Sequence, residues 1–292
     1  MKSWRAELSL IGVTVIWGTT FVLVKSALTE VSTPLFLALR FGIAAVALTI
    51  IYRSGVRRAG VAPGLLAGGL LYTAYFFQTK GLEYTTASKS AFLTGLSIPM
   101  VPLASSLVYR SRPRLFEVAG ILIASAGMAM MTLPAGRLEM TRGDFLSFLC
   151  AVTFALHIVV VGHYSPIVGF QSIAVLQVAV AAVLGVVSFG FVEPVRFTGS
   201  ATVVAAVLVT GLLATALAFT TMAWAQQFTS ATRAALIFAL EPVFAWVTSY
   251  LLVGETLPAR AKVGAAVILA GVLLVELKSA HRETKVSVST SN

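Results

Sequence analysis

Long apolar stretches, separated by short polar or basic clusters, recur from one end of the chain to the other. Each runs for roughly 20 residues, enough for an α-helix to cross a ~30 Å hydrocarbon layer. Marking the stretches between charge and turn clusters predicts helices over residues 8–28, 34–52, 63–80, 87–109 and 115–133. A second set follows over residues 144–163, 170–191, 203–226, 231–253 and 259–277. The expected fold class is all-α, a polytopic membrane protein with ten transmembrane helices. The first stretch is longer than a signal-peptide core and lacks a small-residue cleavage site, so it reads as an uncleaved span. Only residues 278–292, polar and rich in Ser and Thr, read as a disordered cytoplasmic tail.

Composition agrees with this pattern. Hydrophobic residues make up 58% of the chain and charged residues 11%, against about a quarter charged in soluble domains. The formal charge of +10 would suit nucleic acid if it were spread over a surface. Instead Arg53, Arg57 and Arg58, then Arg110, Arg112 and Arg114, sit in short loops, which is the positive-inside pattern. With the N-terminus inside, that side also collects Lys2, Arg5, Arg233, Lys278, Arg282 and Lys285. The other side collects fewer, including Arg137, Arg142, Arg196, Arg260 and Lys262, several of them beside Glu139, Asp144 or Glu255. Both termini are therefore expected in the cytoplasm. The expected partners are membrane lipid and a small solute rather than nucleic acid, with the chain a monomer or homodimer. The single cysteine, Cys150, rules out an intramolecular disulfide and a cysteine-based metal site. No cofactor or metal is expected.

The two sets of five spans align. TTASKSAFL at 85–93 matches TSATRAALI at 229–237, and the same register sets Leu96 opposite Leu240, Ser105 opposite Ser249 and Gly127 opposite Gly271. Earlier, LALRFGIAAV at 37–46 matches AVLQVAVAAV at 174–183, which sets Arg40 opposite Gln177 and Trp17 opposite Phe154. A repeat with an odd number of spans must insert in opposite orientations. Residues 1–135 and 143–277 are thus expected to form a 5+5 inverted repeat, the architecture that exposes a midplane site to each face in turn.

The chain resembles the drug/metabolite transporter superfamily, EamA type. The likeness rests on WGTTFVLVK at 17–25, LRFGIAA at 39–45, TTASKSAFL at 85–93 and TSATRAALIFALEPVFA at 229–245. The Gly254–Glu255 pair and the glycine spacings 120/127 and 264/271 add to it. The resemblance implies a ten-helix transporter of the bacterial inner membrane, often an exporter of amino acids or other small metabolites. The sequence departs from it where Arg110-Ser111-Arg112 stands opposite Gly254-Glu255-Thr256 and where the sixth span lacks the Trp-Gly pair.

Arg40 lies about 9 Å along its span, where a guanidinium must face the bundle or a wet cavity. It suits a bidentate grip on a carboxylate, or a structural arginine bonding helix carbonyls. Glu241 is about 15 Å into the ninth span, beside Pro242, and suits a cation or proton, or an ion pair with a buried arginine. His157, opposite Thr20, suits a proton relay, or a hydrogen bond to a neighbouring helix. Tyr72, Tyr75 and Phe76 read as one helix face lining a pocket. Trp17, Thr20, Gln78, Ser97, Gln177 and Trp224 complete the candidate substrate-binding set. Pro99 and Pro102 are expected to break the fourth span as Pro242 breaks the ninth, with the breaks offset by a residue or more. The two glycine pairs predict close packing of the fifth span on the tenth, or between subunits.

A membrane enzyme is the rival class, but no H-E-x-x-H, G-x-S-x-G or paired intramembrane aspartates occur. A sensor would need an output domain. Within transport, Arg40 with aromatic walls favours amino acids or organic anions, Glu241 favours cationic drugs, and sugars or nucleosides stay open.

Overall fold

Inside hydrocarbon a backbone N–H or C=O has no water to bond, so each crossing segment must satisfy its own polar groups, as a helix does. The computed structural model describes residues 3–85, 87–110, 113–133, 141–254, 256 and 258–289, and among these every regular element is helical. Nine helices among the described residues are long and apolar enough to cross a membrane. Ser111, Arg112, Arg137, Glu139 and Glu255 lie outside the described residues.

The helices are α1 (Ser3–Ala27), α2 (Thr33–Tyr52), α3 (Val61–Tyr84), α4 (Ala87–Gly95), α5 (Ser97–Tyr109), α6 (Leu115–Thr132), α7 (Arg142–Val168), α8 (Phe170–Ser188), α9 (Ala201–Leu208), α10 (Ala218–Ala225), α11 (Ala231–Phe238), α12 (Glu241–Val253) and α13 (Ala259–Ser289). A π-helical stretch, Val209–Leu217, joins α9 to α10 in one span. Local chemistry sets several starts. The Thr141 hydroxyl accepts from the Asp144 N–H (3.2 Å) while the Asp144 carboxylate accepts from the Thr141 N–H (2.8 Å), a capping box that opens α7. Ser200 and Ser230 cap α9 and α11. The linker after α8 is tied to the α1–α2 loop, with Ser32 N–H donating to Arg196 O (3.0 Å) and Thr198 N–H to Glu30 O (3.2 Å).

Helix α13 includes the polar segment from Lys278 as far as Ser289. Residues 278–289 contain no Gly or Pro to stop it, and Lys, Ala, Arg and Glu propagate a helix well. The breaks in the fourth and ninth spans are not offset: they fall at Leu96 and at Ala239–Leu240, and Leu96 and Leu240 are matched positions of the repeat. At each break the helix tightens, with Leu96 N–H donating to Leu93 O (3.2 Å) and Leu240 N–H to Ile237 O (3.0 Å). Pro99 has no N–H for the Gly95 carbonyl, and Pro242 has none for Phe238. The prolines are offset, but each interrupts the turn that contains the matched leucine.

Packing sets α6 along α13, α3 along α7 and α8, α2 along α8 and the π-helical stretch, and α1 along α10 and α12. Of the two readings for the glycine pairs, the one within the chain holds. A Cβ on Gly127 would stand 2.6 Å from the Gly264 carbonyl oxygen, and one on Gly271 would stand 2.6 Å from that of Gly120. The two backbones cross antiparallel and nearly touch. On the outside, large apolar side chains such as Leu107 and Leu115 are exposed, as a lipid-facing surface requires.

Candidate functional site

A cavity of about 400 Å³ is lined by residues of α1 through α7 and α10 through α12. Its lining comes from the second half of α1 (Trp17, Thr20, Val24), the last turns of α3 (Tyr75, Gln78, Leu82) and the end of α6 (Met128, Met131, Thr132). It therefore spans from the middle of the bundle toward the face that carries the α1 C-terminus. Toward the other face, Leu10, Val13 and Thr14 of α1 are buried. There an Arg233 Nη2–Glu7 Oε1 ion pair (2.5 Å) ties α11 to α1.

Eight candidates line the cavity: Trp17, Thr20, Arg40, Tyr75, Gln78, Ser97, His157 and Glu241. Four do not. Tyr72 hydrogen-bonds Ser188 at the end of α8 and stacks on Phe76 (6.1 Å between ring centres), so these two face α8 and away from the cavity. The one-face reading fails because successive residues diverge by about 100° around a helix of 3.6 residues per turn, which separates Phe76 from Tyr75. Trp224 packs on Phe228 (5.4 Å). Gln177 is fully buried behind the wall, where its Oε1 meets His157 Nε2 at 2.8 Å.

The cavity floor is an aromatic cluster whose members are paired by the two sequence registers, 37/174 and 85/229. Trp17 meets Phe219 at 5.3 Å, and their matched partners Phe154 and Tyr75 also meet at 5.3 Å. Tyr75 and Phe219, themselves matched by the 85/229 register, meet edge to face at 5.9 Å. Phe154, Phe219, Phe238 and Trp246 were not among the sequence candidates, yet all line the cavity. Phe154 and Phe219 were within reach, because each is the repeat partner of a residue that was chosen.

Arg40 is buried and its fork is in use. Nε donates to Thr215 Oγ1 (2.7 Å), Nη2 donates to the Ala214 carbonyl (3.4 Å), and the guanidinium carbon stands 4.1 Å from the centre of the Tyr75 ring. The Trp17 indole N–H donates to the same Ala214 carbonyl (3.0 Å). Ala214 and Thr215 belong to the π-helical stretch, whose i→i+5 bonding redirects carbonyls from their usual partners. No periodicity in the sequence announces that stretch, and neither partner of Arg40 was foreseen.

Glu241 is half-buried and opens α12 at the break. Among the described residues no donor or cation meets its carboxylate, and Arg40 is engaged elsewhere, which removes the buried-pair alternative. Gly18 makes room for this corner, since a Cβ there would lie 2.8 Å from the Glu241 carbonyl oxygen.

His157 takes the helix-to-helix hydrogen bond of its two sequence readings. Gln177→Leu would leave its Nε2 without a partner in a dry interior. We expect a loss of about 1–3 kcal/mol of stability, read as a lower unfolding temperature in detergent, with the order of solute preference unchanged.

A bundle of membrane-crossing helices around a solute-sized, aromatic-lined cavity, sealed toward one face, defines a membrane transport protein. The EamA-like transporter family model matches residues 4–133 and 141–277, and the chain belongs to that family. It is 32% identical over 278 residues to an uncharacterized transporter of Archaeoglobus fulgidus, covering 95% of this chain and 88% of that one. It is 25% identical to the uncharacterized transporter YyaM of Bacillus subtilis, covering 94% of each chain. It is also 25% identical to a protein of Streptantibioticus cattleyicolor named a probable terminal-alkyne amino-acid exporter, covering 98% of each. A solved crystal structure shares the fold at a TM-score of 0.79 and 21% identity, over 96% of this chain and 99% of that one. The chain is thus a multi-pass transporter of the bacterial inner membrane.

Proposed function

We propose that the chain is a ten-helix carrier, two five-helix repeats inserted in opposite orientations with both termini cytoplasmic, that exports small metabolites, amino acids among them, by alternating access. The apolar first part of α13 supplies the tenth span. The observation that carries the reading is the cavity itself: it spans from mid-bundle toward one face, while the Glu7–Arg233 pair and packed apolar residues close the other. That is the arrangement expected of one end state of an alternating cycle.

The inverted repeat is supported by how contacts exchange. Replacing each residue of the Gly120–Gly271 contact by its repeat partner gives Gly264–Gly127, which is the other close contact. The Trp17–Phe219 and Phe154–Tyr75 pairs exchange in the same way. A two-fold axis in the membrane plane has this effect on matched elements, and an axis along the membrane normal would run α6 and α13 parallel. The amino-acid class is supported by the relative named as an amino-acid exporter and by a cavity volume within the ~300–1,000 Å³ of small-molecule sites.

Purified protein in liposomes, loaded with labelled amino acids, organic anions or lipophilic cations, tests the reading: saturable, competed efflux is expected for at least one class. Orientation is tested in a Cys150→Ala background. Thr248→Cys, on the cavity wall, is expected to react with an impermeant maleimide added outside intact cells, whereas Ala234→Cys, in the closed end, is not. The reverse labelling would overturn the assigned orientation.

A further inference from the structure

We propose that Glu241 is the subsite for a protonated amine, and that the cavity takes solutes bearing an ammonium group on an apolar or aromatic body. This deepens the transporter reading by naming the solute class. The assignment of the site itself requires only that the cavity binds.

Four observations converge. Glu241 stands half-buried on the cavity wall at the break between α11 and α12, and among the described residues nothing donates to it. A carboxylate drawn out of water costs free energy unless a partner compensates it, and none of the described residues supplies that partner. The other charged group on the wall, Arg40, bonds Thr215 and Ala214 and lies over the Tyr75 ring, all of them neutral partners. The remaining titratable side chains facing the cavity among the described residues are Tyr75 and His157, and the latter is held by Gln177. Among the described residues Glu241 is therefore the charge on the wall that no protein group meets.

The walls match the rest of such a solute. Trp17, Phe219, Phe238 and Trp246 line the same cavity as the carboxylate, and aromatic faces attract ammonium groups as well as apolar bodies. The Trp246 indole nitrogen is buried without an acceptor. It supplies a single neutral donor, suited to a hydroxyl, a carbonyl or the far oxygen of an amino acid. An anionic solute would be repelled by the unpartnered carboxylate of Glu241.

Three probes of one shape separate the possibilities: 2-phenylethylamine, 2-phenylethanol and 3-phenylpropanoate. Equilibrium binding to the purified full-length protein is read by quenching of intrinsic tryptophan fluorescence, since Trp17 and Trp246 line the cavity. The amine is expected to bind at least about tenfold more tightly than the other two, as a charge-assisted hydrogen bond allows. In Glu241→Gln that preference is expected to vanish, because the amine loses an ion pair that the alcohol never forms. Glu241→Asp is expected to keep the preference at reduced affinity. An equal or better grip on the alcohol or carboxylate by the unaltered protein overturns the proposal without any variant. So does a folded, monodisperse Glu241→Gln protein that still prefers the amine. Amine binding that depends on Glu241, without flux in liposomes, would remove the transporter reading and leave this one. Flux without a Glu241-dependent amine preference would do the opposite.

Discussion

Gly127→Leu is expected to prevent the chain from accumulating as a folded protein, or to lower its stability by more than about 3 kcal/mol, the upper end of ordinary overpacking costs. The atoms that a side chain would meet are backbone: the Gly264 carbonyl oxygen and the Ile268 nitrogen, both at 2.6 Å from an added Cβ. A flexible neighbour could turn aside, but a backbone cannot move without its whole helix. Between transmembrane helices, moreover, there is little hydrophobic drive to restore contact once they part, so attraction depends on close approach. Gly42→Leu is the control, because nothing lies within 4 Å of a Cβ there. Detergent thermal unfolding and membrane yield measure both. Equal behaviour of the two variants would show that the α6–α13 crossing carries no such weight.

The second large effect concerns Arg40. Arg40→Lys is expected to lower transport by on the order of a hundredfold while leaving the ranking of amine, neutral and anionic solutes unchanged. Lysine keeps the charge but has neither the fork that reaches Thr215 and Ala214 together nor the planar face that lies over Tyr75. The substitution thus loosens the π-helical stretch and the aromatic floor at once. Had Arg40 gripped a substrate carboxylate, loss would fall on acidic solutes and spare neutral ones. Flux of matched probes through wild-type and Arg40→Lys proteoliposomes separates the two patterns.

Much of the architecture was legible because lipid removes options. Each apolar stretch had to be a helix, and prolines 99 and 242 marked where two of them yield, whereas Pro102, also expected to break the fourth span, stays inside α5. The spacing of glycines 120, 127, 264 and 271 announced a close crossing, although not whether its partner lay in the same chain. The repeat register pointed at half of the aromatic floor. What stayed hidden was rotation and bond partnership. Tyr72 and Phe76 looked equivalent to Tyr75 by spacing, yet the packing of α3 on α8 turned them outward. Arg40 and Glu241 looked like natural partners by charge, yet the carbonyl of Ala214 and the hydroxyl of Thr215 claimed the arginine. One acceptor is a backbone carbonyl and both are presented by the π-helical stretch, which a list of side chains does not display.

The π-helical stretch also bears on how length differences in this span should be read. Each i→i+5 bond encloses one residue more than its α-helical counterpart, so Val209–Leu217 holds a surplus that a straight helix would not need. A relative lacking one residue here could close the wide turn to ordinary i→i+4 bonding and leave later positions, Phe219 and Met222 included, facing much as they do. A one-residue gap in an alignment, placed in this stretch, would therefore mark the loss of the redirected carbonyls that hold Arg40 rather than a turned cavity floor.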